Sequence, residues 1–214
     1  SGVAVGFILH LNIADYAGGT TLRKYLNTAL TKVGKACVAY YNRADGITFE
    51  LPSDADNFKK LTNFQPDPHA GEGLPKSPAQ ALPLLDFFLK QKDTAVILDN
   101  AETLVPDADI AMQIPEDRTN LVMIREWATN QTIMDNGNMV VLITNNLSDI
   151  HSSIRASSSR YESIRIPYPD ADARASFIES LGKRTDKPWT FQKEVDDGTM
   201  TRATAGLSLM HIED

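Results

Sequence analysis

Residues 96–104 read VILDNAETL and residues 140–150 read VVLITNNLSDI. Each closes an uninterrupted apolar run with a polar turn, the pattern of a strand covered on both faces within a parallel sheet. Parallel neighbours need crossover connections, and helical periodicity appears on either side of these runs. Residues 78–92 align Leu82, Leu85, Phe88 and Leu89 on one face, and residues 117–135 do the same with Leu121, Ile124, Trp127 and Ala128.

The alternation continues in both directions. Residues 3–12 form a short apolar run that predicts a first buried strand, followed by a glycine-bearing loop over 14–20. From Thr20 or Thr21 onward, Leu22, Tyr25, Leu26, Ala29, Leu30 and Val33 recur at helical steps until Gly34 ends the pattern. Residues 36–41 predict a second strand. Asp45-Gly46 then supplies turn chemistry, so that 47–51 could close a hairpin. A short helix over 53–61 is expected, capped by Ser53, before a loop at 63–78 that carries four prolines and two glycines. Residues 160–167 predict a last strand through Tyr161, Ile164 and Ile166, and Asp170 caps a helix reaching residue 181. The expected fold is therefore α/β, a doubly wound, mainly parallel five-stranded sheet with helices on both sides. Residues 1–169 form its core and 170–214 a small helical appendage.

Composition narrows the function classes. Hydrophobic residues at 42% and charged residues at 23% exclude a disordered chain and a coiled-coil rod. Lys plus Arg total 21 against 28 for Asp plus Glu, and the net charge of -7 argues against phosphate-backbone binding, so a nucleic-acid partner is not expected. Cys37 is the sole cysteine, which excludes an internal disulfide and suits a reducing, cytoplasmic setting. It lies within an apolar run, where an inert buried thiol is the natural reading. His10, His69, His151 and His211 are scattered without metal-ligand spacing. No apolar run reaches the roughly 18–20 residues that span a bilayer. No G-x-S-x-G nucleophile elbow and no G-x-G-x-x-G dinucleotide fingerprint occur, and Trp127 and Trp189 read as core or interface anchors. Because the chain opens on Ser1-Gly2, a fragment of a longer protein with a tag scar at its front is expected.

In such sheets ligands bind beyond the carboxyl ends of the strands. The first strand delivers Gly18, Gly19, Thr20 and Thr21 there, opening a helix whose N-terminus can hold an anion; the same residues equally make a tight turn and an N-cap. The strand at 94–99 delivers Asp99, which can hold Mg²⁺ through water or simply begin an acidic turn; Asn100 beside it cannot serve as a base, and Glu102 stands two residues on. The strand Met139–Thr144 delivers Asn145, an amide that can orient a water or cap the following turn. Arg155 and Arg160 follow in a serine-rich stretch, suited to a neighbour's phosphate or to plain solvation.

The order and spacing of these pieces resemble the AAA+ ATPases over residues 95–181. VILDNAETL is similar to the family's Walker B strand, and VVLITNNLSDI to its sensor-1 strand. Residues 154–181 look like the segment holding the arginine finger, the next strand and the first lid helix. ATAGLSLMHIED at 203–214 is similar to a later lid helix. The resemblance implies ATP and Mg²⁺ as cofactors, Asp99 as the magnesium aspartate, Asn145 as the sensor-1 residue, and Arg160 or Arg155 as the finger. It also implies 170–214 as the start of a lid, and self or related AAA+ modules and a further protein as partners.

Two departures stand out. The phosphate loop G-x-x-x-x-G-K-[ST] has no lysine counterpart and no glycine frame in residues 12–21, and Asn100 replaces the Walker B glutamate. A missing charge-assisted bond costs about 1.5–3 kcal/mol of binding, and a missing general base about 10²–10⁴ in rate. The resemblance and these losses together therefore predict a degenerate module, the N-terminal part of a longer ATPase, with weak or no nucleotide binding and hydrolysis of its own and a regulatory, docking or oligomerisation role. The alternatives are an active ATPase with a nonstandard phosphate loop, in which Glu102 or another acid replaces the base, and a sheet that binds another small molecule or a protein at the same strand ends, with the loop at 63–78 as a contact.

Overall fold

The computed structural model describes residues 5–65, 73–109, 111–183 and 197–213. In chain order the strands are β1 (Gly6–Leu11), β2 (Tyr16–Ala17), β3 (Thr20–Thr21), β4 (Cys37–Asn42), β5 (Gly46–Thr48), β6 (Thr94–Leu98), β7 (Met139–Thr144) and β8 (Tyr161–Ile166). The helices are α1 (Leu22–Lys32), α2 (Pro52–Thr62), α3 (Pro78–Leu89), α4 (Pro115–Trp127), α5 (Gln131–Asp135), α6 (Ser152–Arg155), α7 (Ala171–Gly182), α8 (Asp197–Ala203) and α9 (Leu209–Glu213). The α/β reading holds, with one strand more than expected. The main sheet has six strands in the order β5-β4-β6-β7-β1-β8, all parallel except β5.

The extra strand comes from the 42–46 turn. The Asn42 carboxamide oxygen accepts from the backbone N–H of Ala44 and of Asp45, and Gly46 takes φ +79. That geometry folds β5 back on β4 with Tyr41 opposite Ile47. Two helix boundaries also differ from expectation. The helix predicted over 117–135 is two, because Asn130 caps a new one through Ile133 N–H at 3.2 Å. Helix α2 starts at Pro52 rather than under a Ser53 cap, since proline has no N–H to leave unpaired at that position. The loop at 63–78 falls partly, and Trp189 and His69 wholly, outside the described residues.

Alternation along the strands divides the core in two. One face of the sheet packs Cys37, Ala39, Tyr41, Val96, Leu98, Val140 and Leu142 against α2 through α6, with Phe58, Leu85, Phe88, Ile124 and Trp127 as the large buried side chains. The opposite face packs Leu9, Val38, Tyr40, Ile97, Val141 and Ile143 against α1, through Leu22, Leu26 and Leu30. Cys37 is free and buried, its thiol pushed up to about 12 by burial and then by the Asp54 carboxylate. Helices α7, α8 and α9 form a separate small cluster around Ile178, Leu181 and Ile212. Arg174 braces it by donating to the carbonyls of Pro169 (2.8 Å) and Thr201 (3.3 Å).

Candidate functional site

Parallel pairing places the carboxyl ends of β4, β6, β7 and β1 side by side at one edge of the sheet. Alternation puts Asp99 in line with Ala95 and Ile97, and Asn145 in line with Val141 and Ile143, so both follow the α1 face at adjacent strand ends. The structure thus sets these two predicted residues after the ends of neighbouring strands. Asp99 is held by its own backbone N–H, which donates to the Tyr41 carbonyl at 2.9 Å. Burial raises its carboxyl above the usual aspartate range, opposed by the Arg23 guanidinium and reinforced by Asp45.

Arg23 was not singled out by sequence reasoning. It lies in the first turn of α1, donates from Nε to Glu50 at 3.1 Å and from a terminal nitrogen to Thr48 Oγ1 at 3.0 Å, and stacks 4.0 Å over the Tyr40 ring. The Tyr40 hydroxyl returns a bond to the Arg23 carbonyl at 2.9 Å. A cation fixed this way places positive charge near Asp99, the same sign that a metal ion would bring. Among the described residues no group of three or more His, Cys, Asp or Glu side chains could hold a metal, so Asp99 would have to hold Mg²⁺ largely through water.

The stretch after β1 departs most from a phosphate cradle. Leu11 takes φ +85, a strained conformation for a leucine, and turns the chain so that Asn12 and Asp15 point inward. The Asn12 amide donates to Asp15 at 2.8 Å, and Asp15 also accepts from the Tyr16 N–H at 2.8 Å. Gly18 and Gly19 sit at φ +57 and +80, the requirement of a two-residue hairpin turn, and β2 and β3 pair across them. Thr20 is a strand residue, and Thr21 Oγ1 caps α1 by accepting from Lys24 N–H at 3.4 Å. Laid on G-x-x-x-x-G-K-[ST], the frame becomes Ala14, Gly19, Thr20 and Thr21, with threonine where lysine belongs. Asp15, only 5% exposed, adds a carboxylate inside that frame, a charge of the wrong sign for a phosphate.

The remaining candidates lie apart. Asn100 is left-handed at φ +51, a conformation asparagine tolerates, and its carbonyl accepts from the N–H and hydroxyl of Thr103. Glu102 Oε2 is buried and has no hydrogen-bond partner among the described residues, so that oxygen does not face the strand-end solvent. Arg155 is committed, donating to the Ile150 carbonyl at 2.6 Å and to Asp107 at 2.8 Å. Arg160 precedes β8, at the end of the sheet opposite Asp99; it is exposed and donates to the Met134 sulfur at 3.4 Å. Arg155→Ala is therefore expected to cost about 1 kcal/mol, and Arg160→Ala to stay within about 0.5 kcal/mol, as read by urea denaturation.

No protein with a curated description matches the chain. The family described as AAA+ chaperone, N-terminal Rossmann-like domain, matches residues 1–167. A chain in the solved structure of the E. coli MS115-1 HORMA:CdnC:Trip13 complex superposes with a TM-score of 0.56 at 15% identity, covering 94% of this chain and 59% of that one. At that identity the likeness speaks for the fold alone. Among the described residues no helix is long and apolar enough to cross a membrane.

Proposed function

The chain belongs to the AAA+ chaperone N-terminal Rossmann-like domain family, and from that premise we propose that it is a regulatory or docking module of a longer cytoplasmic AAA+ protein, with weak or no nucleotide binding and hydrolysis of its own. One observation carries this reading: the segment where phosphates would lie is a closed β-hairpin with the buried Asp15 carboxylate at its base. In an intact module ATP and Mg²⁺ supply the phosphoanhydride and the charge that polarises it. Asp99 and Asn145 follow neighbouring strands, where that chemistry would need them, whereas the loop that would hold the phosphates carries a buried carboxylate and no lysine.

The module then works through assembly. Arg160, exposed and away from its own Asp99, is free to face the site of another AAA+ module, and residues 170–214 begin the lid that completes the unit. Partners are thus proteins, either copies of this chain or related modules.

Calorimetric titration of the chain with ATP and Mg²⁺, with ADP in parallel, tests the reading. No saturable heat is expected up to millimolar nucleotide, and Thr20→Lys is expected to add none, because the added ammonium would sit on a paired strand opposite Ala17, in a hairpin and not in an open phosphate loop. Micromolar binding that Asp99→Ala weakens would instead overturn this reading and make residues 12–21 an unconventional phosphate loop, and phosphate release abolished by Asp99→Ala would then support the second reading, an active ATPase. The specific support for that reading is the joint placement of Asp99 and Asn145.

A further inference from the structure

The hairpin that replaces the phosphate cradle reaches across to the C-terminal helices. Asp15 Oδ1 accepts from the backbone N–H of Met210, in the first turn of α9, at 3.0 Å. The Tyr16 hydroxyl donates to Glu213 at the other end of α9 at 2.6 Å, and its ring lies 5.9 Å from that of Phe177 in α7. Asn12 adds a third point, its amide donating to the Pro167 carbonyl at 3.3 Å on the segment that leads into α7. These contacts join residues up to 197 positions apart and bridge the sheet to both helices.

We propose that Asp15 and Tyr16 form a built-in latch that fixes α7 and α9 on the sheet without any ligand. The Asp15 carboxylate accepts from Met210 N–H, one of the amides that the first turn of α9 leaves without an intrahelical partner. The same carboxylate is held from the sheet side by Asn12 and by Tyr16 N–H, so it is shared between the two parts of the chain. A ligand can shift the angle between two parts only through a difference in affinity for two arrangements. With the junction already satisfied by the chain's own carboxylate, the helices keep one arrangement, and the module acts as a fixed joint. The latch rests on the nucleotide-independent reading in that both use the Asp15 carboxylate, and it adds the bonds that carboxylate and Tyr16 make to α9.

Hydrogen exchange on the whole chain tests it. In the wild type the amides of α9 are expected to be protected without nucleotide, and addition of millimolar ATP with Mg²⁺ is expected to leave them unchanged. Asp15→Ala should accelerate exchange over 209–213 by about tenfold or more, the loss of one hydrogen bond to a charged group. The amides of β6 and β7 should stay protected. Tyr16→Phe removes the hydroxyl and with it the bond to Glu213, keeps the ring against Phe177, and should produce a smaller acceleration over the same residues. If Asp15→Ala also exposes β6 and β7, Tyr16→Phe decides. Unprotected α9 amides in the wild type, or no acceleration in the deciding variant, would overturn the latch. Should calorimetry find ATP binding while Asp15→Ala still frees α9, the nucleotide-free reading falls and the latch stands; silence in calorimetry with no effect of Asp15→Ala gives the reverse.

Discussion

Phe88→Ala is expected to lower the thermal midpoint by roughly 6–20 °C, from a loss of about 3–5 kcal/mol in a domain of this size. The side chain is fully buried on the helix-rich face of the sheet. Its ring centroid lies 4.7 Å from that of Phe58, which in turn lies 5.3 Å from that of Phe49, so three aromatic rings join α3, α2 and the segment after β5. Truncation removes apolar contact, leaves a cavity that rigid neighbours cannot collapse, and breaks an aromatic pair worth about 0.5–1.5 kcal/mol beyond its area. Phe87, the adjacent residue, is 47% exposed. Phe87→Ala should therefore cost under about 1 kcal/mol, and equal losses from the two variants would contradict the packing described. A scan of the unfolding midpoint by circular dichroism separates them.

That contrast was visible in the sequence because Phe88 falls on the apolar stripe of a helix and Phe87 does not. The same local signals located β7 and the Asp170 cap, whose side chain accepts from Ala173 N–H at 2.8 Å. Signals of one or two residues were ambiguous. Gly18-Gly19 fits a hairpin turn as well as a helix-opening loop, and the paired strands are only two residues each, too short to show alternation. Asn130 sits in a stretch where helical spacing continues on both sides, so its capping role was hidden by the pattern around it. The role of Asp15 had no local signature at all, since its bond to Met210 spans 195 positions. Arg23 could have been found by asking what the two cations in the first turn of α1, Arg23 and Lys24, do once the phosphate-loop lysine is missing. The scaffold was thus encoded in periodic burial, which a sequence displays, and the site in individual long-range contacts, which it does not.

Gly6→Ala is the second substitution expected to be severe, at about 2–4 kcal/mol from overpacking and a lost buried hydrogen bond. Gly6 lies opposite Tyr161 in the β1–β8 pairing. A Cβ there would stand 2.6 Å from the Tyr161 ring, closer than real contacts allow. The ring has little room to yield, because its hydroxyl donates to the Ile124 carbonyl at 2.6 Å and the backbone N–H of Tyr161 donates to Ser159 Oγ at 3.2 Å, fixing the residue at both ends. A double-mutant cycle isolates the cause: in a Tyr161→Ala background, Gly6→Ala should cost less than about 0.5 kcal/mol, since the clashing ring is gone. An undiminished cost would place the penalty elsewhere in β1. Tyr161 also directly follows Arg160, which is left-handed at φ +63. Displacing the ring shifts the backbone that presents this arginine, so in an assembly that uses Arg160, Gly6→Ala should weaken association as well as folding, whereas Phe88→Ala at matched residual stability should weaken folding alone.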